Sequence, residues 1–527
     1  MRIIAIVILG AALASAQPSR FPLEEATVEQ LQKWMQSGRY TSQSLARLYL
    51  ERIRLLDKQG PKINSVIELN PDALKIAADI DRERRAGKVR GPLHGVPVLI
   101  KDNIDTGDRM MTTAGSLALV GPPAAKDAFL VQRLREAGAV ILGKTNLSEW
   151  ANFRSTNSTS GWSGRGGQTK NPYALDRNPC GSSSGTGSAV AANLVAVGIG
   201  TETDGSIVCP ANANSLVGLK PTLGLVSRSG IVPIAHSQDT AGPMTRTVAD
   251  AAVLLGAIAG ADPADSATTA PGVHVESDYS KFLKADGLKG ARIGVARKKV
   301  TGYSAPTDRL FEKAIEDLRR LGAEIVDPAD IGSIGEYDEG EREVLLYEFK
   351  ADLNRYLATR IGVPIRTLKD AIDFNEKNKD REMPYFGQER FLAAEAKGPL
   401  TDEAYKKALE RNRKLSREGI DDTLKKQRLD AIVMPTGGPP WTTDLVNGDH
   451  FLGDSSTPTA VAGYPVITVP MGYVYGLPVG ISFAGTAWSE GTLLRLAYAY
   501  EQGTKHRRPP AMRPVADLRA LTADKHR

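Results

Sequence analysis

The stretch from Asn178 to Ser206 reads NPCGSSSGTGSAVAANLVAVGIGTETDGS. A loop rich in glycine and serine, Gly181–Ser188, runs into Ala189–Val197, whose small side chains predict a helix able to pack closely. Beyond it, Ser206 follows Asp204 and Gly205 at what reads as a strand-to-loop turn. A serine hydroxyl there is a poor nucleophile until a neighbouring base takes its proton. No G-x-S-x-G elbow surrounds Ser206, and the nearest histidine downstream is His236. If Ser206 is a nucleophile, its base has to come from another part of the chain.

Upstream, "HGVPVLIKDNID" holds a short apolar run, Val96–Ile100, that reads as a buried strand with Lys101 at its C-terminal end. Before it, "YTSQSLARLYLERIRLLD" predicts a helix capped by Thr41 or Ser42, with Leu45, Leu48, Tyr49, Ile53 and Leu56 on one face. "DALKIAADIDRERRAG" predicts a second helix, and "DAFLVQRLREAGAVILGKTN" a helix, a glycine turn and a strand. Trp150–Gly187 shows little periodicity. "ARIGVA", "PTDRLFEKAIEDLRRLG" and "AEIVD" form a βαβ pattern. Residues 336–425 are charged and helical in pattern, an expected insertion over the core. "DAIVMP" and "YPVITVPMGYVYGLPVGISF" read as strands, the last two antiparallel, and "SEGTLLRLAYAYEQ" as a closing helix. Residues 260–273 read as a surface connector. Strands alternating with helices predict a layered α/β sheet, whose sites lie at the carboxyl ends of strands. Lys101 and the Gly/Ser loop fall at that edge.

The composition fits an enzyme-sized globular chain: 527 residues, 24% charged and 41% hydrophobic. A net charge of +6 is small for this length, and no nucleic-acid motif accompanies the basic tail "KHRRPPAMRPVADLR", which reads as solvated surface. The first residues, "MRIIAIVILGAALASAQ", combine one arginine, an apolar run Ile3–Ala14 and an A-x-A site at Ala14-Ser15-Ala16. That is the pattern of a secretory signal peptide over residues 1–16. The run is shorter than the ~20 residues a membrane span needs. The expectation is therefore an exported protein, periplasmic or secreted, with no stable membrane anchor after cleavage. The only cysteines, Cys180 and Cys209, could be joined in an exported protein. They bracket the serines of interest, and the reading favours simple packing there.

Taken together, these stretches resemble the amidase signature family. The resemblance rests on "GGQTKNPYALDRNPCGSSSGTGSAVAANLVAVGIGTETDGSIVCPANANSLVGLKPTLGLVSRSGIVP", flanked by "GPLHGVPVLIKDNIDT", "TTAGS" and "GKTNLSEWA". "GYPVITVPMG" and "GLPVGISFAG" extend it towards the C-terminus; 336–425 matches least. The resemblance implies an α/β fold, layered α/β/α around a large mixed β-sheet, in one amidase domain over 17–527. It also implies a Ser-Ser-Lys triad: Ser206 as nucleophile, Ser182 as a bridging serine after a cis peptide bond, and Lys101 as base. Backbone N–H groups along Thr203, Asp204, Gly205 and Ser206 would hold the oxyanion. Many relatives have Gly-Gly where this chain has Asp204-Gly205; a backbone donor does not depend on the side chain, so the change bears on pocket polarity. "TETDGSIVCPA" and "NPCGSSSG" look most like the peptide amidase branch, which removes C-terminal amides of peptides.

The chemistry asks for these residue types. A lysine serves as base only when neutral, and burial lowers its pKa from near ~10.4. A serine can both donate and accept, so Ser182 can relay the proton. The expected substrate is a small-molecule or short-peptide amide, with no cofactor, no metal and no nucleic acid as partner. The Gly/Ser loop lacks the G-K-[ST] ending of a phosphate loop, and no H-E-x-x-H or paired-cysteine motif is present. Lys144 in "GKTN" is a rival base, expected instead to support its loop. His94 and His236 are expected to pack or hydrogen-bond. Aryl, aliphatic or acyl-amino amides are alternative substrates. Further alternatives are a silent binding protein and one component of an amidotransferase, the latter opposed by the signal peptide.

Overall fold

The computed structural model describes residues 21–518, so the expected signal peptide lies outside the described residues. Eleven strands form one sheet. In chain order they are β1 (Val66–Leu69), β2 (Pro97–Lys101), β3 (Val140–Thr145), β4 (Val197–Glu202), β5 (Val217–Lys220) and β6 (Thr240–Thr245). There follow β7 (Arg292–Val295), β8 (Glu324–Val326), β9 (Ala431–Pro435), β10 (Val466–Val474) and β11 (Leu477–Ala484). They lie side by side in the order β1-β3-β2-β4-β6-β5-β10-β11-β9-β7-β8. The sheet is mixed, and the architecture is the layered α/β/α fold expected.

The centre of the sheet positions the site. Every residue of β2, β3 and β4 is buried, as near-continuous apolar runs require when helices cover both faces. β2 pairs in parallel with both β3 and β4. Parallel neighbours end at the same edge, so Lys101, the last residue of β2, emerges beside Thr201 and Glu202 at the end of β4.

The helix after the Gly/Ser loop runs from Ser184 to Ala191, earlier than the expected Ala189–Val197; Val197 instead opens β4. The Gly/Ser residues are the helix's packing face, not only its turn. A Cβ on Gly185 would collide with the carbonyl oxygens of Ser65 and Asn146, so only glycine allows this approach.

Two surface or packing expectations are corrected. Cys180 and Cys209 form a disulfide; the loop entering Ser182 meets the helix Val208–Ala213 that leaves Ser206. The basic tail is not all solvated: Arg507 donates twice to Glu25 at 2.8 Å and to the Ser215 carbonyl at 2.7 Å. The C-terminal stretch thus straps back onto the first described turn. The connector 260–273 runs along the surface as expected, anchored by buried Asp265, which pairs with Arg228.

Residues 336–425 are helical, from Asp338–Thr359 to Glu403–Gln427. Their apolar face, including Phe349, Leu353 and Phe391, packs on Trp150 and Phe153. Arg154 and Glu149, both fully buried, pair at 2.9 Å, and Glu382 accepts the Leu117 N–H at 2.7 Å. These contacts pin the helices to the irregular stretch before the serine loop.

Candidate active site

Lys101 is fully buried. Its Nζ lies 2.7 Å from Ser182 Oγ, 2.8 Å from Thr201 Oγ1 and 3.3 Å from the Thr201 carbonyl. Burial drives its pKa down to about 7, against the opposing pull of Asp239 and Glu202. At that value a large share of the amine is neutral near pH 7. The neutral amine keeps two N–H donors and one lone pair, and Ser182 can donate its hydroxyl proton to that pair.

The Gly181–Ser182 peptide bond is cis. The next residue, Ser183, bridges to both neighbours: its N–H donates to the Ser206 carbonyl at 3.2 Å and its Oγ to the Thr201 carbonyl at 3.1 Å. The three expected residues therefore converge at the carboxyl edge of the sheet. Ser206 is 8% exposed, whereas Ser182 and Lys101 are fully buried.

The turn carrying Ser206 is built to present backbone donors. Glu202 Oε2 accepts the N–H groups of Ile207 at 2.7 Å and Val208 at 3.0 Å. Gly205 takes a left-handed φ of 76°, which favours glycine. Among the described residues, none accepts a hydrogen bond from the N–H of Asp204, Gly205 or Ser206. These donors are free for a developing oxyanion. The Asp204 carboxylate is held by the hydroxyls of Ser456 and Thr457. Beside it, burial and the Asp204 charge push Asp454 up to about 7. Asp204 therefore does make this flank of the turn acidic.

The rival residues lie elsewhere. Lys144 Nζ donates to the Ile104 carbonyl at 2.6 Å and Thr112 Oγ1 at 3.1 Å, supporting the loop as expected. His94 is buried, and its carbonyl takes Gln32 and Arg84. His236 stands between two carboxylates, with Nδ1 2.8 Å from Asp352 and Nε2 3.4 Å from Glu348. Burial opposes its charge, but these partners raise its pKa above the ordinary value. The Nδ1 contact with Asp352 is a hydrogen bond, and the cluster of His236, Glu348 and Asp352 stands apart from Lys101, Ser182 and Ser206.

Four residues at the site escape a reading of the sequence. Thr201 and Asn103 form the outer partners of the lysine: Asn103 Nδ2 donates to Thr201 Oγ1 at 2.9 Å. Both adjoin the motifs "KDN" and "TETDGS", and proximity is the available signal. Asp239 accepts from Thr203 Oγ1 at 2.6 Å and from the N–H groups of Ile234 and Ala235 at 2.8 and 2.9 Å. Lys220 is a third buried lysine, pushed down to about 8 by burial. Nothing in sequence marks these two.

A sheet-edge lysine and two serines, with no histidine joined to them among the described residues, fit an amide hydrolase of the serine type. The chain belongs to the amidase family, whose model matches residues 44–494. It is 55% identical to the peptide amidase of Stenotrophomonas maltophilia, whose X-ray structure it matches with a TM-score of 0.90 over 94% of this chain and 100% of that one. A probable amidase of Arabidopsis thaliana is 47% identical, covering 96% of this chain and 95% of the relative. A glutamyl-tRNA(Gln) amidotransferase component from Caldanaerobacter subterraneus is 35% identical over 92% of this chain and 97% of its own.

Proposed function

We propose that this amidase hydrolyses the C-terminal carboxamide of short peptides through an acyl-enzyme on Ser206, acting after export. Neutral Lys101 takes a proton from Ser182 as Ser182 takes one from Ser206. The Ser206 oxygen attacks the amide carbonyl, and the N–H groups along Thr203–Ser206 hold the resulting oxyanion. One such donor typically contributes ~2.7–4 kcal/mol. The proton then returns by the same route to the departing nitrogen, the base-then-acid sequence any such triad needs. Ammonia leaves, and water repeats the cycle on the ester.

The observation that carries this reading is the buried contact of Lys101 Nζ with Ser182 Oγ at 2.7 Å. The substrate class is supported by the 55% identity to a peptide amidase, and export by the sequence of residues 1–16. The experiment is incubation of mature protein with a short peptide amide. Equal amounts of ammonia and free-acid peptide are expected. A clean enzyme that cleaves simple aliphatic or aryl amides but no peptide amide would refute the peptide assignment.

A further inference from the structure

The consecutive backbone N–H groups from Ile234 to Asp239 all find acceptors. Those of Ile234 and Ala235 go to Asp239 Oδ2 at 2.8 and 2.9 Å. Those of Gln238 and Asp239 go to the Ala235 carbonyl at 3.1 and 2.9 Å. The two between them reach the helix Asp338–Thr359: His236 N–H donates to Asp352 Oδ2 and Ser237 N–H to Glu348 Oε2, both at 2.9 Å. Glu341 is a third acceptor on that helix, taking Gln238 Nε2 at 2.8 Å. Glu341, Glu348 and Asp352 recur at a spacing that places them on one face of the helix. That face grips the segment, and it belongs to the region that resembles the family least.

The segment in turn holds Thr203. Asp239 Oδ1 accepts the Thr203 hydroxyl at 2.6 Å, while Oδ2 keeps the two N–H groups. That length fits the ~2.5–2.7 Å of a hydroxyl on an ionised carboxylate, a stronger bond than one between neutral groups. Gln238 Nε2 also lies 3.4 Å from the Thr203 carbonyl. Thr203 opens the turn in which the N–H groups of Asp204, Gly205 and Ser206 have no acceptor among the described residues. Oxyanion donors work best when they are fixed before the charge develops. Gly205 leaves the turn conformationally permissive, so the side chain at its entrance is the place to fix it.

We propose that Asp239 is a positioning residue: through the Thr203 hydroxyl it holds the oxyanion turn in its reactive geometry, and the helix Asp338–Thr359 braces the segment that carries it. The inference rests on the Ser206 acyl-enzyme reading given above. It gives residues 336–425 a part in turnover besides packing. Because Asp239 acts on the turn through Thr203, breaking their contact weakens the hold on an oxyanion and leaves the binding of the uncharged substrate unchanged.

The test compares wild type with Thr203→Val, Thr203→Ser, Asp239→Asn and the Thr203→Val/Asp239→Asn double variant, each checked for folding by circular dichroism. Rates are read on the alkaline plateau of the pH profile, where the pull of Asp239 on the Lys101 charge no longer enters. Thr203→Val deletes the hydroxyl at nearly constant shape. It should lower kcat about 10–100-fold, the effect of losing a hydrogen bond to a charged group, with KM little changed. Thr203→Ser keeps the donor and should return most of kcat. A peptide aldehyde, whose adduct with Ser206 sets an oxyanion-like oxygen on the turn, should lose affinity in step with kcat. Asp239→Asn should show a loss of the same kind, and in the Thr203→Val background it should add almost nothing, because both act through one bond. Wild-type kcat in a folded Thr203→Val enzyme, losses that multiply in the double variant, or an aldehyde that binds every variant equally well would each overturn the proposal and leave the Ser206 reading intact. A wild type insensitive to the aldehyde would instead refute the Ser206 acyl-enzyme, and this role of Asp239 with it.

Discussion

Lys101 Nζ and Ser182 Oγ meet at 2.7 Å with both side chains fully buried. A charged ammonium gains little there, since burial disfavours the ionised form. The contact is a place for a proton to be shared, and Ser182 is its route towards Ser206. We expect Ser182→Ala to fold and bind substrate while losing about 10²–10⁴-fold in kcat, the range of a general-base contribution. Steady-state kinetics with substrate-binding controls checks this; wild-type-like kcat would remove Ser182 from the route.

Thr201 tunes that pair. Its hydroxyl is 2.8 Å from the lysine amine and 2.9 Å from Asn103 Nδ2. An acceptor beside an ammonium favours the charged form. Thr201→Val removes it, so the lysine pKa should fall further and the acid limb of kcat/KM should move to lower pH. Thr201→Ser should restore the wild-type midpoint. A Thr201→Val profile that moves upward would contradict this placement.

The Cys180–Cys209 bond ties the loop that delivers Ser182 to the helix that follows Ser206. A bridge closing a loop of this size typically contributes ~2–4 kcal/mol. The Cys180→Ala/Cys209→Ala protein should melt at a lower temperature than the oxidised wild type and lose activity first on heating. Equal melting temperatures would show that the bond adds no stability.

Arg154 and Glu149 are an ion pair with no solvent contact. Removing one partner of such a pair typically costs ~3–5 kcal/mol. Arg154→Met should therefore destabilise the protein strongly at neutral pH. Burial already raises the Glu149 and Glu382 pKa values above the ordinary carboxyl range. A carboxyl with a raised folded-state pKa favours folding at low pH and loses that advantage as pH rises. The penalty of Arg154→Met should therefore shrink as pH falls towards that range. Denaturant titration at two pH values decides it, and a penalty that grows on acidification would contradict the pairing.

Much of this is legible in the chain. Val96–Ile100 reads as a strand because a continuous apolar run suits a strand buried on both faces, and Lys101 at its end follows. The antiparallel pair at 466–484 is visible because "YG" separates two apolar runs. The helix Ser184–Ala191 escapes such a reading because glycine and serine look like turn residues locally. Their real role, letting the helix touch Ser65 and Asn146, is set by chain far away in sequence. Arg507 misleads in the same way: its partner Glu25 is 482 residues upstream. Lys101, Ser182 and Ser206 come from the resemblance, since each alone is an ordinary residue. Asp239 and Lys220 leave no mark in the sequence, because their roles arise from burial and partners that only the folded chain supplies.

Ser206 itself can be trapped. With a slowly hydrolysed amide, the peptide carrying Ser206 should gain the mass of the acyl group, and Ser206→Ala should fold, bind and not label. A label on another residue, or full turnover by the alanine variant, would reject Ser206 as nucleophile.

The central claim is that a neutral Lys101, working through Ser182, is the base. The most direct measurement is kcat/KM against pH for wild type and Lys101→Arg, with circular dichroism to establish folding. Below its pKa the lysine is protonated and cannot accept, so wild-type kcat/KM should climb about tenfold per pH unit and level off through a midpoint near about 7, the value burial sets for this amine. The midpoint belongs to the Lys101–Ser182 pair as a unit. Lys101→Arg keeps the charge permanently, so it should lose about 10²–10⁴-fold and show no such climb. A folded Lys101→Arg enzyme with near-normal kcat/KM and the same acid limb would mean that another group takes the Ser206 proton.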